Sequence, residues 1–399
     1  MTRGGADVIV AGHICLDLIP AMRHSPAGLD ALLVPGKLID VGPAAIATGG
    51  AVPNTGIALH RLGARVKLMG KIGDDRFGGA IADILRESGA GLADGMIVAA
   101  GETTSYTVVL NPPQVDRVFL HCTGANDTFT AADVREEELQ GARLFHFGYP
   151  PLMRRMYESG GAELERLLGF VRSRGLAVSL DLARPDPDSP AGRADWSAIL
   201  TRALPHVDLF LPSFDETMAM LMPDEYGRLC REHGAADPLA HADGGLLAAL
   251  AERLLAMGAG VVVLKLGDRG LYMRTSADAG RIAAMGAGAT WTGRELAAAC
   301  YRVEAAGTTG AGDCTIAGFL AGWLQGLPPE EALDLAVAVG ACNVERPDAT
   351  SGVPSLAAVR GRIAAGWAKR ELALPAAGGG WKPAGPVWRG PNDSAVTER

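Results

Sequence analysis

The run Ala306-Gly307-Thr308-Thr309-Gly310-Ala311-Gly312-Asp313-Cys314-Thr315, continuing as Ile316-Ala317-Gly318-Phe319-Leu320-Ala321-Gly322-Trp323-Leu324, decides how the rest of this chain is read. A loop of small residues opens a strongly apolar helix. Gly310 and Gly312 permit backbone angles closed to other residues, so successive N–H groups can point at one spot. The helix N-terminus adds partial positive charge there. The expected result is an anion hole built from Gly310, Ala311 and Gly312. Asp313 sets a carboxylate beside donors suited to phosphate oxygens. It has a use there as a base, taking the proton of a substrate hydroxyl while the amides stabilise a transferring phosphoryl. On this segment alone, an Asp that caps a helix after a glycine turn is an equal alternative.

Outward from that run, short apolar stretches recur at Val8 to Ala11, Val66 to Met69, Leu144 to Phe147, Ala177 to Leu180, Val207 to Leu211 and Gly260 to Leu264. Bounded by Gly, Pro or Asp, they read as buried parallel strands. Helical windows lie between them at Asn54 to Leu62, Phe77 to Ser88, Gly161 to Arg174, Ser213 to Leu221 and Gly245 to Met257. The alternation predicts an α/β fold of three layers, α/β/α, around a mostly parallel sheet. Two segments break the pattern, about 14–45 and 101–125. The second reads as a hairpin, Tyr106 to Leu110 and Arg117 to Leu120 about a turn at Asn111-Pro112-Pro113. Together they predict a small β-sheet lid. Pro223 to Gly245 reads as a polar inserted loop. Residues 371–399 read as a non-helical Gly/Pro-rich C-terminal extension to a domain of residues 1–370, with Trp381 and Trp388 free to dock on the body or on a partner.

Composition narrows the function. The 399 residues carry 37 Lys+Arg against 45 Asp+Glu, a net charge of −8, which argues against a nucleic-acid binder. No apolar stretch is long enough to span a membrane, and Met1 to Asp7 leads straight into a strand rather than a signal peptide. The six cysteines have no C-x-x-C spacing, so free thiols in a reducing cytoplasm are expected. Among the histidines, His146 reads as a core residue, His121 as a lid residue within reach of substrate, and no pair with His13 has the spacing of a metal site. A P-loop is absent, since Gly70-Lys71 is followed by Ile72 and position 65 is Arg. The third glycine of a dinucleotide fingerprint is replaced by Thr315.

Other segments supply a substrate side. Gly49-Gly50-Ala51-Val52-Pro53-Asn54 precedes a helix. Two glycines let a ligand lie against the backbone, and Asn54 offers a donor and an acceptor to hydroxyls; a flexible turn with Asn54 as a cap is the alternative. Asp17 follows the first strand, where α/β sheets open their crevice, though a solvated loop Asp is the plainer reading. Asp74 or Asp75 reads as a helix cap.

Thr308-Thr309-Gly310-Ala311-Gly312-Asp313 resembles the C-terminal signature of PfkB-type, ribokinase-like carbohydrate kinases. Gly49-Gly50 through Asn54, with Gly63 and Gly73-Asp74-Asp75 to Gly78, resembles their N-terminal signature. The resemblance runs from about Asp7 to Ala365. It implies transfer of a phosphoryl from ATP, with Mg²⁺, to a hydroxyl of a sugar or sugar-like acceptor, the hydroxyl being a primary CH₂OH. It implies Asp313 as the base, Gly310 to Gly312 as the anion hole, and Asp17, Gly49, Gly50, Asn54 and Tyr149 on the acceptor side. Tyr106, Arg117, Phe119 and His121 fall in the lid. Lys265, Gly267, Gly270, Thr308 and Asn343 fall on the nucleotide side, with Asn343 near the base edge.

Three positions depart from the family. Gly307 stands where an Asp of some members helps hold a monovalent cation, which puts potassium activation in question. Ser213-Phe214-Asp215-Glu216 replaces Asn-x-x-Glu. It is a capping box as well, so Glu216 reads either as a cap or as a residue ordering water around Mg²⁺. Asp348 stands at a common glycine. The rival functions are a nucleoside kinase of the same fold and a kinase-like sugar-binding regulator without turnover. A dehydrogenase is a weaker third. A homodimer through the lid is a further expectation.

Overall fold

The structure, a computed structural model, describes residues 5–22, 34–112, 118–233, 238–242, 244–372 and 380–394. The strand Val8–Gly12 shows why the body has three layers. Val8 and Val10 pack into one apolar core, and Ile9 and Ala11 into a second core on the opposite face. Val261 and Val263 against Val262 and Leu264 divide in the same way. A strand apolar on both sides needs helices on both sides.

The large sheet has ten described strands. In spatial order they are Lys382–Ala384, Val387–Arg389, Glu295–Ala298, Leu271–Thr275, Val261–Lys265, Leu209–Phe210, Ala177–Asp181, Leu144–Gly148, Val8–Gly12 and Val66–Met69. The last six pair in parallel, as the apolar runs predict. The first four are antiparallel. A separate four-stranded sheet, in the order Ala44–Gly49, Cys15–Pro20, Tyr106–Leu110, Val118–Cys122, forms the expected lid, and its 106–122 hairpin is antiparallel.

One expectation needs correction. The segment expected as a loop forms the helix Pro223–His233, and the next helix, Gly244–Ala256, begins at its far end. Pro223 sits at the first helical position with Asp224 and Glu225 in the first turn. Tyr226 and Leu229, three apart, are buried, and Arg228 pairs with Glu225 and Glu232. The polar outer face hides a narrow apolar stripe.

The C-terminal extension is non-helical and docks on the body, one of the two placements left open for its tryptophans. Val387–Arg389 adds to Glu295–Ala298 at the edge of the large sheet. Asp393 is buried against Arg294, whose Nε donates at 3.1 Å. The backbone N–H of Asn392 donates to Glu295 Oε2 at 2.6 Å, and Trp381 meets Tyr272 edge-on at 6.1 Å. The glycine and proline content marks turns between short strands.

Candidate active site

The site gathers where the parallel strands end. His13 follows Val8–Gly12, Tyr149 follows Leu144–Gly148, Asp181 ends Ala177–Asp181, Ser213 follows Leu209–Phe210, and Lys265 ends Val261–Lys265. This is the edge at which an open α/β sheet has its crevice.

Asp313 lies in the first turn of the helix Ala311–Leu324. That helix is apolar on all sides and packs between Ala51–Arg61 and Pro329–Val344. Glycine brings the helices close: a Cβ on Gly318 would lie 2.9 Å from Ala336 Cα. The N-cap Gly310 has φ 69°, and a Cβ there would lie 2.4 Å from the Ala349 carbonyl oxygen. No side chain caps this end. The Ala311 N–H turns back to Thr308 O at 3.3 Å, so that amide of the expected anion hole is partly engaged.

The Asp313 side chain is the meeting point of three elements. Asn54 Nδ2, from Ala51–Arg61, donates to Oδ2 at 2.9 Å. The Tyr149 hydroxyl sits 2.8 Å from Oδ1 and 2.9 Å from Oδ2. Tyr149 holds a left-handed backbone at φ 66°, a conformation costly for a tyrosine, and it aims the phenol at this carboxylate. Asp313 is only 3 % exposed. Asn54 Oδ1 is buried without a partner, so it can accept a bond from a ligand hydroxyl.

Burial raises the Asp313 pKa, while the Lys265 ammonium and the hydrogen bonds from Asn54 and Tyr149 oppose the rise. Lys265 Nζ donates to Asp181 Oδ1 at 2.7 Å, and the lysine stem lies against Gly312. Burial works against the lysine's charge, but Asp181, Glu216 and Asp313 hold it protonated. Burial and the neighbouring carboxylates raise Asp181, against the pull of Lys265. One ammonium therefore faces three carboxylates, and Asp181 Oδ2 has no partner. Glu216 completes the capping box, its Oε2 accepting from Ser213 N at 2.7 Å.

A cavity of about 320 Å³ adjoins this cluster. Lys265, Gly267, Gly270, Thr308, Ala311 and Gly312 line it, with Tyr301, Val337 and Ala341 forming apolar wall. Asn343 is buried elsewhere: its Nδ2 donates to Thr309 O at 2.9 Å, so it braces the glycine loop instead of lining the cavity. Gly307 packs on Pro347, where a Cβ would lie 2.8 Å from the Pro347 Cα, and an Asp there would not fit this backbone. Asp348 closes the adjacent turn on the Thr350 and Ser351 N–H groups.

On the other side of Asp313, Gly49 makes room for Asp17, since its Cβ would lie 2.3 Å from Asp17 Oδ2. Gly50, at φ 97°, lies against His13. His121 reaches from the lid to His13. Tyr106 points elsewhere and packs edge-on against Phe77 at 5.5 Å. Phe119 is exposed on the lid surface. Arg117 lies outside the described residues. His146 is a buried strand residue bonded to Ser179 Oγ at 3.0 Å.

Sequence alone did not mark Asp181, and it set His13 aside as lacking the spacing of a metal site, although each stands at or just past the end of an apolar strand. Strand-end position was the available signal. The pairing of His13 with His121 had none, because 108 residues separate them.

A mostly parallel α/β body, a sheet lid and a glycine-capped helix with an Asp in its first turn define the ribokinase fold. The ribokinase of Arabidopsis thaliana, solved with ribose and ATP, superposes with a TM-score of 0.66 at 17 % identity, covering 90 % of this chain and 98 % of that one. The chain belongs to the pfkB family of carbohydrate kinases, whose model matches residues 6–356. Fructokinase-2 of Solanum habrochaites is 31 % identical over 35 % of this chain and 40 % of its own length. The match thus spans less than half of that relative. The 2-dehydro-3-deoxygluconokinase of Bacillus subtilis is 25 % identical over 80 % of this chain and 87 % of its own.

Proposed function

We propose that this chain transfers the γ-phosphoryl of ATP to a hydroxyl, a primary CH₂OH, of a sugar or sugar-like acceptor. The observation that carries the reading is Asp313, a buried carboxylate held by Asn54 and Tyr149 at the wall of a cavity. ATP enters that cavity, with its phosphates toward Gly312 and Lys265. The acceptor lies on the Asp17, Gly49 and Gly50 side, its hydroxyl between Asp313 and the γ-phosphorus. Asp313 takes the hydroxyl proton as the oxygen attacks. The amides about Gly310 and Gly312, with the Lys265 ammonium, stabilise the oxygens of the moving phosphoryl.

The unpartnered Asp181 Oδ2 and the excess of carboxylates fit a divalent cation. Asp181 and Glu216 would hold Mg²⁺ through water, and it would neutralise charge on the phosphates. Gly307 supplies no side-chain ligand for a monovalent cation. The lid excludes water, which would otherwise compete as acceptor. The relatives act, by name, on fructose and on a keto-deoxy sugar acid, and both belong among the candidate acceptors with nucleosides. A regulator without turnover is harder to reconcile with an intact base and its two donors. Among the described residues no helix is long and apolar enough to cross a membrane. Six unpaired cysteines suit a reducing, cytoplasmic setting. Exposed Ile46, Phe119 and Leu120 on the lid suit a second copy of the chain.

The test is a coupled ADP-release screen over pentoses, hexoses, keto-deoxy sugar acids and nucleosides, run beside Asp313→Ala. Acceptor-dependent ADP release that the substitution removes is the expected result. Turnover within tenfold of the parent would refute Asp313 as the base.

A further inference from the structure

Next to the base, three side chains bring soft donor atoms to one point. His13 and His121 face each other with their Nε2 atoms 3.2 Å apart. Cys15 joins them, and the three donor atoms all lie within 4.8 Å of one another. They arrive from different elements: His13 from the end of the first core strand, Cys15 from the lid strand that follows, His121 from the far lid strand. Two nitrogens and a sulfur are a donor set that zinc prefers. With Zn–N bonds of about 2.0–2.1 Å and tetrahedral angles, two nitrogens on one ion stand roughly 3.3 Å apart. The imidazole pair already has that spacing.

The surroundings orient the donors. Thr107 Oγ1 lies 3.0 Å from His121 Nδ1. With the His121 Nδ1–H donating to that hydroxyl, Nε2 presents its lone pair. The same Thr107 oxygen is 3.5 Å from Cys15 Sγ, so one hydroxyl touches two of the three donors. The cluster lies beside residues assigned above to the acceptor side: Cys15 Sγ donates to Asp17 Oδ1 at 3.3 Å, and the Tyr149 ring is 6.1 Å from that of His13.

We propose that His13, Cys15 and His121 bind one zinc-class divalent cation, which fastens the lid to the body. Coordination replaces the Cys15 thiol proton, released to solvent, with the metal. Binding of the ion stands apart from the phosphotransfer reading. One consequence rests on that reading: an ion at this point occupies acceptor space, so zinc inhibits in competition with the acceptor.

The experiment uses the full chain, stripped with a chelator and titrated with zinc alone against a chromophoric competitor, then with cobalt as an optical reporter. The expected result is one saturable equivalent, with a tetrahedral cobalt spectrum that includes a thiolate charge-transfer band. Cys15→Ser removes that band. Both Cys15→Ser and His121→Ala weaken zinc by about tenfold or more. Cys122→Ser, a neighbouring thiol outside the cluster, leaves affinity unchanged. Circular dichroism and melting establish that each variant folds; Cys15→Ala and His121→Asn replace any that does not. Absence of saturable binding, or affinity that survives loss of both Cys15 and His121, overturns the site. An inactive chain that still binds one equivalent through these residues sinks the kinase reading and leaves the metal site standing.

Discussion

Asp313 is buried, and its usefulness as a base depends on what its neighbours donate. Asp313→Asn keeps the shape and removes the proton acceptor. We expect kcat to fall by about 10²–10⁴, with nucleotide affinity within a few-fold, measured by steady-state kinetics and calorimetry. The raised pKa sets two signs. With Asp313 as the proposed base, kcat/KM is expected to fall as pH drops through its raised pKa. Lys265 is the largest influence opposing burial, so Lys265→Met moves this acid limb to higher pH. A limb that stays in place would assign it to another group. A carboxyl with a raised folded-state pKa stabilises the fold below the ordinary carboxylate range, and that contribution is lost as pH rises through the raised value. Above that raised value the ionised Asp313 costs stability relative to the unfolded chain, so there Asp313→Asn should melt a few degrees higher by calorimetry. At this scale the residue and its glycine loop were legible in sequence, because loop chemistry is local. Its two donors were named only as acceptor contacts, because Asn54 and Tyr149 lie 259 and 164 residues from Asp313.

The element that decides the site is the helix Ala311–Leu324, placed by close helix packing. A Cβ on Gly340 would lie 2.2 Å from Thr315 Oγ1, and one on Gly318 would lie 2.9 Å from Ala336 Cα. Gly318→Val therefore forces the helices apart. It should cost about 1–3 kcal/mol in denaturant unfolding and lower kcat by moving Asp313 away from Asn54. Unchanged stability would mean that the contact gives way without cost. Apolar periodicity identified this helix and the six parallel strands. It misread Pro223–His233, because a helix that packs through a narrow stripe is polar in composition. Asn343 was assigned to the nucleotide on family position, yet its side chain points to the Thr309 carbonyl. Side-chain direction on a helix this buried depends on packing.

For the molecule as a whole, the C-terminal strands close the antiparallel edge of the large sheet. Asp393→Ala would leave the buried Arg294 guanidinium short of a partner, though Glu330 also pairs with it. Breaking such a pair costs about 3–5 kcal/mol where no second partner exists. We expect a smaller loss of this kind, read as a lower melting temperature. Truncation after Leu372 should lower it further. A melting point unaffected by truncation would mean that the edge strands are dispensable. On the opposite side, the lid exposes Ile46, Phe119 and Leu120 at 57 %, 56 % and 54 %. If two chains associate there, Phe119→Asp converts a dimer to a monomer in light scattering. A dimer that persists would place the interface elsewhere.

The order of apolar runs and the glycine-rich segments were enough, as sequence, to specify a three-layer α/β body and to single out Asp313 at the head of a helix as a candidate base. These features are local, arising from backbone freedom, strand burial and the positive end of a helix. The tertiary structure alone decided which side chains meet: Tyr149 and Asn54 on Asp313, Asp181 on Lys265, His121 on His13, and the tail on the sheet edge. Such contacts join residues far apart in the chain. Their geometry follows from how strand ends converge and how closely helices approach, which no short stretch of sequence encodes.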